Sequence, residues 1–193
     1  MSANYISDQE YNHLNFAESF LNIGEYENCV FRSCNFEYAD FSAFNFNDCE
    51  FIDCNLNMAK VMATAFREVF FKDSKILGVD FSSCNDFGFS VRFENCQLTN
   101  SVFYKSSLKK TVFKDCILRD VDFSEADLRS AVFSNSDLSG AFFDRTHLEQ
   151  TDFRTAFGFA FNPDNNKMKG AKFSASNVSG LLHHHKIVID KST

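Results

Sequence analysis

The sequence of 193 residues contains few residues that interrupt regular structure: one proline, Pro163, and seven scattered glycines. Because the glycines form no cluster, the chain has no loop of the kind that cradles a phosphate. No apolar run approaches the length of a membrane-spanning helix, and the polar start of the chain does not resemble a signal peptide. These absences predict one soluble, cytoplasmic domain without a linker or a membrane partner.

Phenylalanine is abundant instead, with 26 residues, and 17 of them belong to a register with an interval of five. We call the large apolar residue of each repeat position i. One series runs from Phe16 to Phe81, a second from Phe93 to Phe153, and the pattern resumes as far as Phe173. Helices repeat apolar residues near 3.6 and strands at 2, so neither explains this period. A short, fixed period is typical of a solenoid.

The other repeat positions predict which side chains point inward. Position i−2 is small, and position i−1 is often Asp or Asn, which we expect to hydrogen-bond the backbone at each corner. Large i and small i−2 side chains should fill the interior, while i−1, i+1 and i+2 face water. Phe44 is a bulky residue at a small position, and we expect it to distort its coil.

All seven cysteines belong to the small i−2 column, at Cys29, Cys34, Cys49, Cys54, Cys84, Cys96 and Cys116. Buried thiols behave as small apolar groups. Their spacings lack the CxxC pairs of zinc sites, and the adjacent His183, His184 and His185 would face different ways on a helix. We therefore expect no metal and no cofactor.

This pattern resembles the pentapeptide-repeat family, whose motif reads small, Asp or Asn, Leu or Phe, then two polar residues. The clearest copies are residues 126–130, 136–140 and 151–155. The resemblance implies an all-β fold, a right-handed quadrilateral parallel β-helix with four pentapeptides per coil. We expect this β-helix over residues 1–178 and a short C-terminal helix/strand tail over residues 179–193.

Two interruptions of the register are expected within the β-helix. Near residues 84–92 two extra residues shift the phase, and Gly88 is expected to adopt a backbone conformation that other residues avoid. This bulge is either purely structural or a contact site. A second break, at residues 156–166, is expected to be a loop whose aromatic residues cover the open end of the core.

The breaks and the tail are similar to one branch of the family, the quinolone-resistance (Qnr) proteins and the microcin immunity protein McbG. The similarity lies in the segment around Gly88, in residues 161–166, and in the apolar tail residues Leu181, Leu182, Ile187, Val188 and Ile189. It implies a homodimer formed through these tail residues. It also implies action on DNA gyrase as a mimic of duplex DNA.

Charge is distributed unevenly, since residues 1–59 contain ten acidic residues and Arg32 as the single basic one. Such a surface repels nucleic acid and attracts a basic, DNA-binding protein surface. The carboxylates expected to bind the partner are Glu25, Glu27, Glu37, Asp40, Asp48, Glu50 and Asp53. The alternative is a structural or scaffolding protein with an unknown partner, in which the acidity only maintains solubility.

An enzyme is not expected, and no catalytic residues are predicted. Catalysis requires a concave, partly dry site with perturbed acids or bases. A filled solenoid instead presents a convex rod. The sequence therefore favours an interaction protein over a catalyst.

Overall fold

We describe the protein from a computed structural model, in which residues 4–16, 21–185 and 187 are described. Within these residues the chain forms short parallel strands joined by tight corners. The strands are β1 Asn4–Ser7, β2 Glu10–Asn12, β3 Gly24–Glu27, β4 Val30–Arg32, β5 Asn45–Asn47, β6 Glu50–Ile52, β7 Ala65–Arg67, β8 Val69–Lys72, β9 Val91–Glu94, β10 Val112–Lys114 and β11 Val132–Ser134. Three 3₁₀ helices, Phe81–Ser83, Pro163–Asn165 and Val178–His185, complete the regular structure of this part of the chain.

Each coil contains twenty residues, because paired residues on neighbouring coils are twenty positions apart. Phe31 pairs in parallel with Phe51, and Tyr26 with Phe46. Twenty residues correspond to four pentapeptides, one for each side of the coil. The predicted parallel β-helix with four sides is confirmed.

The four sides can be named by the ladders that run along them. Face 1 contains the sheet β1-β3-β5-β7, and face 2 contains the sheet β2-β4-β6-β8-β9-β10-β11. Face 3 follows the bridges that begin at Asn15, Asn35 and Asn55. Face 4 follows the bridges from Asp40 through Lys60, Asp80, Val102 and Asp122 to Phe142.

The i residues form continuous aromatic stacks inside the coils. On face 2 the ring centroids of Phe31 and Phe51 are 4.8 Å apart, and those of Phe51 and Phe71 are 5.1 Å apart. Phe113 and Phe133 stack at 4.9 Å farther along the same column. Stacked rings add to the stability that burial of their apolar area provides. The predicted inward direction of the i column is confirmed.

Small residues at i−2 line the interior, and several of them donate side-chain hydrogen bonds to carbonyls of the previous coil. The Cys49 thiol donates to the Tyr26 carbonyl at 3.3 Å, and the Thr64 hydroxyl donates to the Phe41 carbonyl at 2.6 Å. Six of the seven cysteines are buried, and Cys84 is partly buried. Burial raises the pKa of the Cys49 thiol to about 12. This thiol is uncharged near neutral pH, which disfavours both nucleophilic and metal-binding roles.

The corners combine an Asp or Asn hydrogen bond with left-handed backbone. The Asp40 carboxylate accepts from the Ser42 backbone N–H at 2.9 Å, and Asp122 accepts from Ser124 at 2.8 Å, as the sequence predicts. The i+2 residue has a positive φ, as in Tyr38 and Met58. This conformation is uncommon outside glycine and asparagine, and it was not expected from the sequence.

The expectation that Phe44 distorts its coil is wrong. Phe44 is buried, and the neighbouring Ala65 N–H still donates to its carbonyl at 2.8 Å. In the twenty-residue register the residue one coil below Phe44 is Gly24, which has no side chain. The ring packs there beside Tyr26 and Phe46, with centroids 6.0 and 5.8 Å away. The ring is therefore accommodated among its aromatic neighbours without loss of the hydrogen bond to the next coil.

The expected phase shift is present between faces 4 and 1. Register steps of twenty become steps of twenty-two there, since Val69 pairs with Val91 and Asp80 bridges to Val102. The 3₁₀ helix Phe81–Ser83 absorbs part of the insertion, and Gly88 has φ +72° as predicted. A regular register then continues to the bridge between Asp152 and Lys172.

The C-terminal end of the coil stack is covered by aromatic residues. Phe159 and Phe161 are buried, and the ring of Phe161 lies 4.8 Å from that of Phe143. Asn177 ties the end of the chain to the last coils by donating to the carbonyls of Phe153 and Ala156. The helix Val178–His185 follows at once. None of the helices among the described residues is long and apolar enough to span a bilayer.

Candidate partner-binding surface

The seven carboxylates selected from the sequence all face outward, but they do not form one patch. They are divided among face 1 (Glu25, Glu27), the corner between faces 1 and 2 (Asp48), face 2 and its far corner (Glu50, Asp53), face 3 (Glu37) and face 4 (Asp40). Their positions at i−1, i+1 and i+2 explain the outward direction. The N-terminal coils are therefore acidic on every side.

The hydrogen-bond partners of these carboxylates are uncharged. Glu25 accepts from the Asn47 amide at 3.0 Å, and Asp53 accepts from the Ser33 hydroxyl at 2.8 Å. The side chain of Ser42, and then its backbone N–H, lower the pKa of Asp40. Such bonds fix the orientation of the carboxylates without neutralising them.

Salt bridges are almost restricted to the other end of the molecule. Within the described ranges, none of the seven carboxylates has a Lys or Arg nitrogen within 4.0 Å, and Arg32 binds Glu10. By contrast, Asp127 is 2.7 Å from an Arg129 nitrogen. Other C-terminal carboxylates have similar partners, in the pairs Glu94–Lys114, Glu125–Lys105, Asp137–Arg119, Asp144–Arg145 and Asp152–Arg154.

The ion pairs of the C-terminal coils change the acidity of their carboxylates. Burial alone would raise the pKa of Asp127, but hydrogen bonds from Arg129 and Lys109 outweigh it and lower the pKa to about 2. Burial would likewise raise the pKa of Asp137, but hydrogen bonds from Ser139 and Arg119 outweigh it and lower the pKa. These carboxylates are ionised but compensated. The seven N-terminal carboxylates have no such ion pair within 4.0 Å among the described residues.

The charge per unit length separates the two regions. Residues 21–59 make about two coils and contain seven acidic residues and one basic residue. With a rise of about 4.8 Å per coil, this is about one net negative charge per 1.6 Å of axis. Duplex DNA carries about one per 1.7 Å. Residues 97–156 make three coils with nine acidic and eight basic residues, and are nearly neutral.

The predicted dimerisation residues lie at or beyond the end of the described chain. Leu181 packs against the core, Leu182 is exposed at the helix Val178–His185, and Ile187 is exposed. Val188 and Ile189 lie outside the described residues. The described part of the tail thus combines one core contact with two exposed apolar side chains. Among the described residues, no group of three His, Cys, Asp or Glu is arranged to hold a metal ion.

One group of surface residues was missed by reasoning from the sequence. Tyr38, Met58 and Met62 are large and apolar, yet they are at the outward i+1 and i+2 positions and are exposed. The signal was present in the sequence, because the repeat prefers polar residues there. Large apolar residues at positions i+1 and i+2 therefore predict an exposed apolar surface.

Two family models match the sequence. The pentapeptide repeat region model covers residues 89–157, and the model of eight pentapeptide repeats covers residues 29–67. Together they cover more than half of the chain. The chain belongs to the pentapeptide-repeat family. This confirms the family that the five-residue register predicts.

Solved structures of pentapeptide-repeat proteins align over most of the chain. Trypsin-treated QnrB1, a plasmid-mediated fluoroquinolone resistance protein, aligns with a TM-score of 0.56 at 19% identity and covers 98% of this chain and 92% of its own. HetL, involved in heterocyst differentiation regulation in the cyanobacterium Nostoc sp. strain PCC 7120, aligns with a TM-score of 0.38 at 13% identity, covering 90% and 89%. No curated protein matches the sequence. The likeness to QnrB1 shows a shared fold.

Proposed function

We propose that this pentapeptide-repeat protein is a non-enzymatic interaction protein that mimics duplex DNA. Its partner would be DNA gyrase or a related type II topoisomerase, which it would protect from a toxin or a quinolone-type drug. One observation carries the proposal: the N-terminal coils have an axial charge density close to that of DNA, and their selected carboxylates have no Lys or Arg within 4.0 Å among the described residues.

The physical basis is electrostatic complementarity. A DNA-binding surface is basic, so it attracts a dense array of ionised carboxylates. Because Glu25, Glu37, Asp40 and Glu50 are on different faces, the N-terminal coils present charge around the rod, as the two strands of a duplex do. The fluoroquinolone resistance of QnrB1, which shares the fold, supports the choice of partner. Sharing a compartment with gyrase requires a cytoplasmic location.

A homodimer through the C-terminal tail is part of the proposal. The exposed Leu182 and Ile187 are apolar groups that a second copy could cover. A two-fold axis at the tail would place the acidic coils at the two far ends of one rod. Each end could then meet a basic surface, which suits a partner with symmetric DNA-binding surfaces.

The proposal is tested by titrating the purified protein into a DNA gyrase supercoiling assay, with and without a quinolone, at two salt concentrations. We expect inhibition or protection that weakens as salt increases, since screening reduces attraction between exposed charges. Added linear DNA should compete. Absence of any effect in every condition would reject the gyrase partner and favour a scaffolding protein whose acidity only maintains solubility.

A further inference from the structure

Face 4 of the N-terminal half is apolar where the repeat would place polar groups. Tyr38 and Met58 are stacked on neighbouring coils at the corner between faces 3 and 4, and Met62 is on face 4 itself. Their exposed fractions are 69, 51 and 64%. The Met58 sulfur lies over Gly78, which lacks the Cβ that would displace it. Exposed apolar groups that lie together mark interaction sites more often than isolated ones do.

A recess of about 210 Å³ opens where face 4 meets the phase break. Phe81, Cys84, Phe89 and Tyr104 form its apolar wall. Tyr104 is two coils above Met62 in the same outward column, with Ser82 between them, so the recess lies on the same face as the exposed apolar residues. Partner side chains that anchor protein interfaces typically fill pockets of this kind.

The recess also contains a hydroxyl without a partner. In regular coils the i−2 hydroxyl donates to a carbonyl of the previous coil, as Thr146 does to Phe123 at 2.9 Å. For Ser106 the equivalent carbonyl is that of Phe81, at the phase break, and this bond is absent. The Ser106 oxygen is buried and has no hydrogen-bond partner among the described residues. An unsatisfied buried hydroxyl costs free energy, so the recess departs from the regular coils in its hydrogen bonding as well as in its shape.

The charged groups around this surface favour a basic partner. Glu37, Asp40, Asp80 and Asp86 border it, with Lys60 among them. The remaining cation, Lys105, is 3.5 Å from the Glu125 carboxylate. The balance is negative, so an approaching surface with Lys or Arg beside an apolar group would be complementary.

We propose that face 4, from Tyr38 to Tyr104, is a docking surface for a protein that presents an apolar side chain among basic groups. The anchoring side chain enters the recess and packs against its apolar wall. This inference rests on the proposed function, which makes the partner the DNA-binding surface of a type II topoisomerase. DNA offers no apolar anchor, so face 4 supplies affinity that charge mimicry alone does not.

The test uses a triple variant, Tyr38→Asn, Met58→Asn and Met62→Ser. Tyr38 and Met58 have φ of 58° and 56°, where asparagine is well tolerated. Serine at position 62 repeats Ser42 and Ser82, which precede and follow it in the same column. The matched control is Phe87→Ser, which removes an aromatic ring that is 78% exposed on the bulge. Circular dichroism melting confirms that each variant is folded.

The affinity of each protein for purified DNA gyrase is measured by biolayer interferometry at four salt concentrations. We expect the triple variant to bind about tenfold more weakly at every salt concentration, with an unchanged dependence on salt. Phe87→Ser should bind as the unchanged protein does. The dependence of the triple variant's affinity on salt is expected to persist because its carboxylates are intact.

The outcomes separate this inference from the proposed function. If the unchanged protein does not bind gyrase, both are rejected. If it binds in a salt-dependent way and the triple variant binds equally well, only the docking surface on face 4 is rejected. A loss of affinity with a flattened salt dependence would also reject it, because the substitutions would then have acted through the charges.

Discussion

The coils of residues 21–59 and those of residues 97–156 share an interior and differ in their surfaces. Both are built on twenty-residue coils with stacked rings, at 4.8 Å for Phe31 and Phe51 and 4.9 Å for Phe113 and Phe133. Outside, the first region has carboxylates with uncharged partners, whereas the second pairs five of its nine carboxylates with arginine or lysine. A solenoid can therefore change its surface charge without changing its core.

The reason is the separation of inward and outward columns. Each repeat contributes i and i−2 to the core and i−1, i+1 and i+2 to the surface, and stability is close to a sum over coils. Substitution at i+1 or i+2 changes few core contacts. The N-terminal coils can thus carry uncompensated charge at limited cost, because exposed carboxylates stay hydrated.

The largest expected effect tests whether the two cores are equivalent. Phe51→Ala and Phe133→Ala each remove a fully buried ring from the same column. We expect each substitution to lower the free energy of unfolding by about 3–5 kcal/mol, through lost burial and the cavity left behind. Urea denaturation measures both. A loss below about 1 kcal/mol in one region only would show that the interiors are not alike.

Acid should remove the contribution that the ion pairs of the C-terminal coils make to stability. The pKa of Asp127 is lowered to about 2 in the folded protein, against about 3.9 in an unfolded chain. Its stabilising contribution is therefore present above about pH 4 and is lost as the pH falls towards about 2. We expect Asp127→Asn to reduce the acid-induced loss of unfolding free energy by about 1–2 kcal/mol, measured by urea denaturation between pH 5 and pH 2.

A companion variant checks the cause of this pH dependence. Arg129→Gln removes the principal hydrogen-bond donor to Asp127. This substitution should abolish most of the loss of unfolding free energy that Asp127 causes between pH 5 and pH 2, since the pKa of the Asp127 carboxyl would rise towards its ordinary value. If Asp127→Asn retained the full acid dependence, the ion pairs would not be its source.

The smallest expected effect concerns the left-handed corner positions. Ala43 has φ +63° at the corner after face 4, and Asn100 has φ +60° at the corner after face 3 of a later coil, both at position i+2. Asparagine tolerates this conformation better than alanine. We expect Ala43→Asn to raise the unfolding free energy by about 0.5 kcal/mol and Asn100→Ala to lower it by a similar amount. Thermal and urea unfolding of both variants measure the difference. Shifts of the same sign would contradict this explanation.

The sequence predicted the parts of the fold that depend on the period. The inward columns, the Asx hydrogen bonds of Asp40 and Asp122, and the phase shift at Gly88 are all present, and the coil of four pentapeptides that the family resemblance implies is present as well. Each of these follows from residues a few positions apart. The effect of Phe44 was predicted wrongly because it depends on packing against rings of this and the neighbouring coil, those of Phe46 and Tyr26, which the period alone does not show.

The surface could be predicted only in part. Counting charges located the acidic N-terminal region, but the absence of nearby cations at Glu25 or Asp53 depends on which columns are neighbours in space. The recess at Ser106 could not be predicted, because it lies at the phase break, where the register between coils changes from twenty to twenty-two residues. Dimerisation through the tail remains a prediction for all five of its apolar residues, of which Val188 and Ile189 lie outside the described residues.

The most direct test of the central claim is the salt dependence of gyrase affinity for three proteins: the unchanged chain and two variants that each lose five carboxylates. The N-terminal variant carries Glu37→Gln, Asp40→Asn, Asp48→Asn, Glu50→Gln and Asp53→Asn. The control carries Glu125→Gln, Asp127→Asn, Asp137→Asn, Asp144→Asn and Asp152→Asn, and each of these carboxylates has a Lys or Arg partner. We expect the N-terminal variant to lose about a hundredfold in affinity at low salt, together with most of the salt dependence, and the control to retain both. Equal losses in the two variants, or none in either, would contradict the claim that the unpaired N-terminal carboxylates recognise the partner.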